Sequence, residues 1–367
     1  MIPVTRPALN DSDARAVANA VMVTFVAGGP AGEIFESKVA EYCGREFGVG
    51  VTSGTAALVL AVRALGLPPG SKVLLPAFTI VSSLYAVVEN GHVPVIIDVD
   101  PLTWNADLES VQRAVQGGVD AAILVQTYAS APPMLEIVEY LADANIPVIE
   151  DAAEGLGGAQ SGRRFGSFGE LSILSFYANK LITTGEGGMV LTDDPVYAER
   201  VRASRNLFFD SDRRFIHSEF GGNFRLSNLQ ATLGISQMDR VDEFYAHRRM
   251  LYKRYLELLA GLDGHIQFQR VPSGFSSSYW VFPILLTEAA GFNAIEFIAE
   301  LRQREIESRH FFYPLDRQPA LEGKIDPHSE TSCRLWQRGL YLPLGNGTTE
   351  EEVEISAATV RQILDAD

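Results

Sequence analysis

Val148-Ile149-Glu150-Asp151-Ala152-Ala153-Glu154 runs from apolar, β-branched residues straight into a pair of carboxylates. A short apolar run of this kind, introduced by Pro147 and ended by charge, reads as a buried strand whose carboxyl end reaches a polar site. Upstream the same pattern recurs. Val73-Leu74-Leu75, Val93-Pro94-Val95-Ile96-Ile97 and Ala122-Ile123-Leu124-Val125 also read as buried strands, and residues 55 to 65, 80 to 90 and 133 to 144 read as helices between them. Strand and helix in alternation predict a mainly parallel sheet covered on both faces, an α/β fold. On such sheets ligands bind beyond the carboxyl ends of the strands, so the residues that follow each strand are the ones to read for chemistry.

Farther along, residues 228 to 262 read as one long helix or two in series, with Leu229, Leu233, Ile235, Met238 and Val241 as the apolar stripe. Tyr279 to Leu286 then reads as a strand, Asn293 to Arg304 as a helix and Glu350 to Leu364 as a terminal helix. At 367 residues the chain exceeds the size one core usually serves. We therefore expect a large domain over residues 1–240 and a smaller C-terminal α/β domain over 241–367.

Composition narrows the function. A formal net charge of −16 opposes nonspecific binding to nucleic acid or an anionic membrane, both of which need a positive field. Cys43 and Cys333 are the only cysteines and lie far apart, so neither a thiolate metal site nor a disulfide framework is indicated. No apolar run has the length of a signal peptide or a membrane span, and a cytoplasmic protein is expected.

Three segments put chemistry at strand ends. Ser53-Gly54-Thr55-Ala56-Ala57 follows Val49-Gly50-Val51 and opens the helix at 55 to 65. A glycine at a helix N-terminus exposes backbone N–H groups to an anion such as a phosphate, although Ser and Thr there are also ordinary caps. Asp151 ends an apolar strand, where its carboxylate either caps a helix, with Glu154 one turn on, or pairs with a heterocyclic nitrogen. Lys180 follows Leu174-Ser175-Phe176-Tyr177-Ala178-Asn179 and precedes Thr183-Thr184-Gly185-Glu186-Gly187-Gly188. Only Lys38, Lys72, Lys180, Lys253 and Lys324 occur in the chain, and Lys180 alone sits beside an apolar strand in a loop of small and hydroxyl residues. It is either a snorkelling surface side chain or a desolvated amine able to bond an aldehyde. Phosphate cradle, ring-nitrogen partner and amine together meet the three demands of pyridoxal 5'-phosphate (PLP).

These runs, with Thr52 to Asp98, Gly222-Asn223-Phe224-Arg225-Leu226-Ser227-Asn228, Phe35-Glu36 and Glu307-Ser308-Arg309, resemble the DegT/StrS-type sugar aminotransferases over nearly the whole chain. Asn179-Lys180 with Ile182 to Gly188 looks most like the 4-aminotransferase subgroup that makes GDP-perosamine. The resemblance implies PLP fold type I, the aspartate aminotransferase-like architecture. It implies Lys180 as the Schiff-base amine and proton carrier, and Asp151 as the pyridine partner. Ser53, Gly54, Thr55 and Ser175 would lie at the phosphate, and Ile80 and Glu154 at the ring. Asn223 would reach the cofactor of a neighbouring subunit in a homodimer with shared sites, and Arg225, Arg309 and Tyr313 would lie near a nucleotide-linked sugar. Glutamate is the implied amino donor.

The chain departs from the family pattern in places. Ile80 replaces a ring-stacking aromatic, giving up about 1 kcal/mol. Gln126 and Ala129 replace His and Gly of a Val-His-Leu-Tyr-Gly pattern, and His310 and Asp316 replace Pro and His. Two rivals keep the fold or the substrates: a dehydratase of the same family, which would carry His in place of Lys180, and a binding protein of the same fold. A short-chain reductase needs GxGxxG and Tyr-x-x-x-Lys, and neither occurs.

Overall fold

A computed structural model describes residues 1–209, 215–217 and 219–364. Helices α1 (Asp11–Met22) and α2 (Pro30–Cys43) precede β1 (Phe47–Val51). Then α3 (Gly54–Ala64), β2 (Lys72–Pro76), α4 (Val81–Glu89), β3 (Val93–Ile97), α5 (Leu108–Gln116), β4 (Ala121–Val125), α6 (Met134–Asp143) and β5 (Val148–Asp151) alternate. A short pair, β6 (Ala159–Gln160) and β7 (Arg163–Arg164), leads to β8 (Leu171–Ser175), β9 (Gly188–Thr192) and α7 (Pro195–Arg205). The second half runs α8 (Asn228–Met238), α9 (Val241–Leu258), β10 (Ile266–Phe268), β11 (Phe275–Ser276), β12 (Phe282–Leu286), α10 (Ala294–Gln303), β13 (Arg309–His310), α11 (Glu330–Arg338), β14 (Gly339–Leu342) and α12 (Glu350–Leu364).

The large sheet has the order β1-β9-β8-β5-β4-β2-β3. Pairs β2·β3, β2·β4, β4·β5 and β5·β8 are parallel, whereas β9 runs against both β1 and β8. The expected mainly parallel α/β sheet is present, with one reversed strand. The twelve residues between β8 and β9 contain no helix, so the chain returns beside β8 in the opposite sense instead of crossing over.

Alternation along the pleat feeds two cores. Leu74, Ala122, Leu124, Val148, Leu174, Met189 and Leu191 pack on one face with α2 and α6. Val73, Leu75, Ala121, Ile123, Ile149, Ile173 and Val190 pack on the other with α3 and α4. Both faces are covered, which is why these strands are uninterrupted apolar runs in the sequence. Each buried Leu, Ile or Val contributes about 1.5–3 kcal/mol.

A smaller antiparallel sheet, β10-β12-β14-β13, packs with α9, α10 and α12 around Leu251, Tyr255, Phe282, Ile284, Phe297 and Val360. The first residues of the chain join this part: Ile2 bridges to Ile306, and the Leu344 amide donates to Val4. Residues 228 to 262 form two helices, interrupted at Asp239 and Arg240. The strand expected from Tyr279 begins only at Phe282, because Tyr279 takes a left-handed φ of 51°. No helix of the described residues is long and apolar enough to cross a membrane.

Candidate active site

Strand register assembles the site. Gly188 at the start of β9 pairs with Val51 at the end of β1 on one side and with Ser175 at the end of β8 on the other. The residues that follow β1 and β8 therefore emerge side by side. Gly54 lies so close to Ser175 that a Cβ added to it would stand 3.0 Å from the serine Cβ and 3.3 Å from its Oγ.

Ser53 caps α3, its Oγ accepting from the Ala56 amide at 3.1 Å, and the Thr55 and Ser82 hydroxyls lie 2.8 Å apart. The Gly54 and Thr55 amides find no acceptor among the described residues. Free amides at the positive end of a helix, beside two hydroxyl side chains, form a cradle for a phosphate.

The acidic pair of β5 divides across the pleat. Glu150 is buried and tied into structure, accepting from Gln126 Nε2 at 2.6 Å and from the Gly166 and Phe168 amides at 3.0 and 2.8 Å. Asp151, also buried, accepts from Ser83 Oγ at 3.0 Å and from the Ala153 amide at 3.2 Å. Burial raises the Asp151 pKa, against these two donors and the attraction of Lys180. No helix follows Asp151; residues 153 to 157 form turns, so the helix-cap alternative is removed. Glu154 sits on those turns, buried, with Oε2 accepting from the Tyr128 amide at 2.8 Å, and burial raises its pKa also.

Lys180 lies in the turn after β8, part-buried, with Nζ 3.8 Å from the centre of the Trp280 ring. Its Nζ has no hydrogen bond among the described residues, and its charged neighbours are Glu154, Asp151 and Arg248. Burial lowers its pKa, opposed by the two carboxylates. An amine with a depressed pKa, resting on an aromatic face beside two carboxylates, is equipped to act as a nucleophile and to move protons.

A cavity of about 180 Å³ opens beside it, lined by Tyr177, Asn179, Trp280, Arg309 and Tyr341 among others. Arg309 is thus brought to the site; its guanidinium also pairs with Glu307 at 3.3 Å. Ile80, just before α4, is 45% exposed. Tyr313 stands edge-on to Trp336, and neither aromatic lines the cavity. Asn223 and Arg225 are exposed and bonded to each other, Arg225 Nε donating to Asn223 Oδ1 at 3.1 Å, and have no contact with Lys180 within this chain.

Several residues of the site escaped the sequence reading. Ser83 was legible in principle, as a polar residue on the buried face of α4. Trp280, Arg248 and Asn346 gave no local signal, since what matters is which distant loop each one meets.

The profile of the DegT/DnrJ/EryC1/StrS aminotransferase family matches residues 7–361. A GDP-perosamine synthase of Caulobacter vibrioides is 33% identical over 330 residues, 90% of this chain and 89% of that protein. The putative pyridoxal phosphate-dependent aminotransferase EpsN of Bacillus subtilis is 35% identical, over 88% of this chain and 85% of its own. Among solved structures, the aminotransferase TlmJ from Streptoalloteichus hindustanus superposes with a TM-score of 0.93 at 28% identity, covering 100% of this chain and 99% of its own.

Proposed function

The chain belongs to the DegT/DnrJ/EryC1/StrS aminotransferase family, and from that premise we propose that it moves an amino group from glutamate to the keto group of a nucleotide-linked 4-keto-6-deoxy sugar, as a step in polysaccharide or glycoside biosynthesis. The observation that carries this reading is the Lys180 amine, held over Trp280 with Asp151 and Glu154 as its neighbouring carboxylates, in the turn after the strand whose end, Ser175, meets Gly54.

These residues fit PLP. The Gly54 and Thr55 amides with Ser53, Thr55 and Ser175 would hold its phosphate, Asp151 its ring nitrogen and Lys180 its aldehyde carbon, with Ile80 and Glu154 at the ring. When bound, PLP supplies an aldehyde that exchanges with amines and a ring that accepts electron density. Ser83 and the Ala153 amide keep Asp151 ionised and aimed, so that it holds a proton on the ring nitrogen. Lys180 Nζ takes a proton from the amino-bearing carbon of the donor and, in the second half of the cycle, returns one to the sugar carbon. Trp280 supports the transient ammonium through its ring face, and Glu154 through its charge. Arg309, on the cavity wall, would meet the anionic diphosphate of the sugar nucleotide, with Arg225 and Tyr313 as further contacts.

We also read the working unit as a homodimer. Val81, Tyr85 and Val88 recur on one face of α4 and, with Ile80, are each 45–50% exposed. Asn223, exposed here, would then serve the partner's site. We also propose that a PLP-binding large domain ends near residue 240 and a smaller one follows, a reading supported by the break between α8 and α9.

Borohydride reduction of the PLP-loaded protein followed by peptide mapping should place the label on Lys180, and Lys180→Ala should lose both the visible absorbance and transamination. A label elsewhere, or a variant with normal turnover, defeats the assignment. Glutamate-dependent amination across GDP-, dTDP- and UDP-linked keto sugars then fixes the acceptor; no activity with any keto-deoxy sugar removes the proposed substrate class.

A further inference from the structure

Arg248 is a buried cation without a counter-ion. Its side chain, on α9, is 1% exposed, and no carboxylate among the described residues comes within ion-pair distance of it. Such a charge is costly unless fixed dipoles replace the lost water. Here the replacement is specific. One terminal nitrogen donates to the carbonyl oxygens of Lys180 at 2.8 Å and Asn179 at 3.2 Å, the other to the carbonyl of Trp280 at 3.3 Å, and Nε to Asn346 Oδ1 at 2.5 Å. Asn346 in turn donates its amide to the Leu181 carbonyl at 2.7 Å, and Trp280 Nε1 donates to Asn179 at 3.2 Å.

Three consecutive carbonyls, those of Asn179, Lys180 and Leu181, are thus gripped from α9, from the loop after β14 and from the residue beneath the amine. A guanidinium suits this task because its donors are fixed in one plane. An ammonium would satisfy fewer of these acceptors in fewer directions.

We propose that Arg248 is a positioning residue for Lys180: it locks the turn that carries the amine over Trp280 and sets an uncompensated positive charge beside that turn. This rests on the reading of Lys180 as the cofactor-bearing residue. Buried arginines usually meet carboxylates; this one meets the backbone of the reactive lysine. The charged groups around Lys180 are Glu154 and Asp151 from the β5 end and Arg248 from α9; the carboxylates favour the ammonium, and burial, joined by Arg248, opposes it. A group held only for stability would have no reason to act on the proton affinity of its neighbour.

The test uses PLP-loaded wild type, Arg248→Met, Arg248→Lys and Asn346→Ala. Each is titrated with pH while the visible absorbance is followed, and each is mapped after borohydride reduction. We expect the label on Lys180 throughout and, in Arg248→Met, a midpoint displaced upward by about half a unit or more, a roughly threefold gain in proton affinity. Arg248→Lys, which keeps a charge but not the planar fork, should fall between wild type and Arg248→Met, and Asn346→Ala, which frees Arg248 Nε and the Leu181 carbonyl but keeps the buried charge, should move the midpoint less than Arg248→Met. If Arg248→Met fails to fold, the Arg248→Lys midpoint decides. Midpoints equal to wild type in the folded Arg248 variants, with Lys180 labelled, overturn the proposal and leave the function intact; no label on Lys180 in wild type overturns the reading beneath it.

Discussion

Ser83→Ala isolates the support of Asp151. The serine is fully buried, and its Oγ at 3.0 Å is one of two donors on a carboxylate that is itself cut off from water. A hydrogen bond to a charged group contributes about 1.5–3 kcal/mol, and about 1.4 kcal/mol is a tenfold change in an equilibrium constant. In the cofactor-free protein a further rise in the Asp151 pKa, already raised by burial, relieves part of this penalty. With PLP in place the carboxylate must stay ionised against the ring nitrogen. The penalty therefore falls on the loaded state, and PLP affinity should drop by about tenfold or more, with little change in the melting temperature of the cofactor-free protein.

The pH dependence carries the sharper signal. Affinity that requires ionised Asp151 is present above its pKa and lost as pH falls through it, so in Ser83→Ala the loss should set in at higher pH than in wild type. Equilibrium dialysis against PLP across a pH series measures both effects. Affinity within about twofold of wild type near neutrality, or a deficit that is the same at every pH, would show that Ser83 merely fills space.

Gly188→Ala should damage the phosphate cradle from behind: the new Cβ would lie 2.4 Å from the Ser53 carbonyl oxygen and 2.8 Å from the Gly54 nitrogen. Overpacking of this kind costs about 1–3 kcal/mol, and because the atoms that must move open α3, PLP affinity should fall along with the melting temperature; retained affinity in a destabilised variant would place the phosphate elsewhere. His328 has a carbonyl oxygen near each ring nitrogen, Asp326 at 2.9 Å from Nδ1 and Ile96 at 2.8 Å from Nε2, and only the imidazolium can donate to both. The Asp326 carbonyl leads in raising its pKa, burial opposes, and Ile96, Asp316 and Asp98 add to the rise. Its contribution to stability is thus complete below the ordinary imidazole range and lost as pH rises through the higher folded value. Urea unfolding across that range should show a slope in wild type that His328→Asn flattens; parallel curves would refute the assignment.

The layers of the large sheet were legible because both faces are covered, which makes Val73 to Leu75 of β2 and Ala122 to Val125 of β4 apolar without interruption and lets the helical period appear between them. The reversal of β9 was not read from Met189 to Leu191, which encode burial but no direction; the signal lay in the preceding loop, too short of helical pattern for a crossover. A helix after Asp151 is one of the two readings the sequence leaves open, but Gly155, Gly157 and Gly158 follow, and Gly157 takes a φ of 90° against Tyr245 and Leu181. The scarcity of lysine made Lys180 stand out. Nothing local distinguished Arg248 from Arg249 beside it, because a step of about 100° around a helix separates burial from exposure only once the helix has found its neighbours.

The acidic pair shows most directly how fold becomes site. Glu150 and Asp151 are equivalent in a sequence, yet the pleat sends them to opposite faces. Glu150 meets the Gly166 and Phe168 amides and Gln126, which bind its oxygens completely enough to make it structural. Asp151 meets one hydroxyl and one amide and retains capacity to accept, on the side where Lys180 stands. An anionic phosphate arrives against a chain of −16, with the carboxylates of Asp151 and Glu154 beside the lysine. On the proposed reading, what would retain it is short in range: the amides that open α3, the hydroxyls beside them, and the Lys180 amine. That is why the sheet register matters more here than the charge count, since Gly188 pairing with both Val51 and Ser175 is what brings the helix end within reach of the lysine turn.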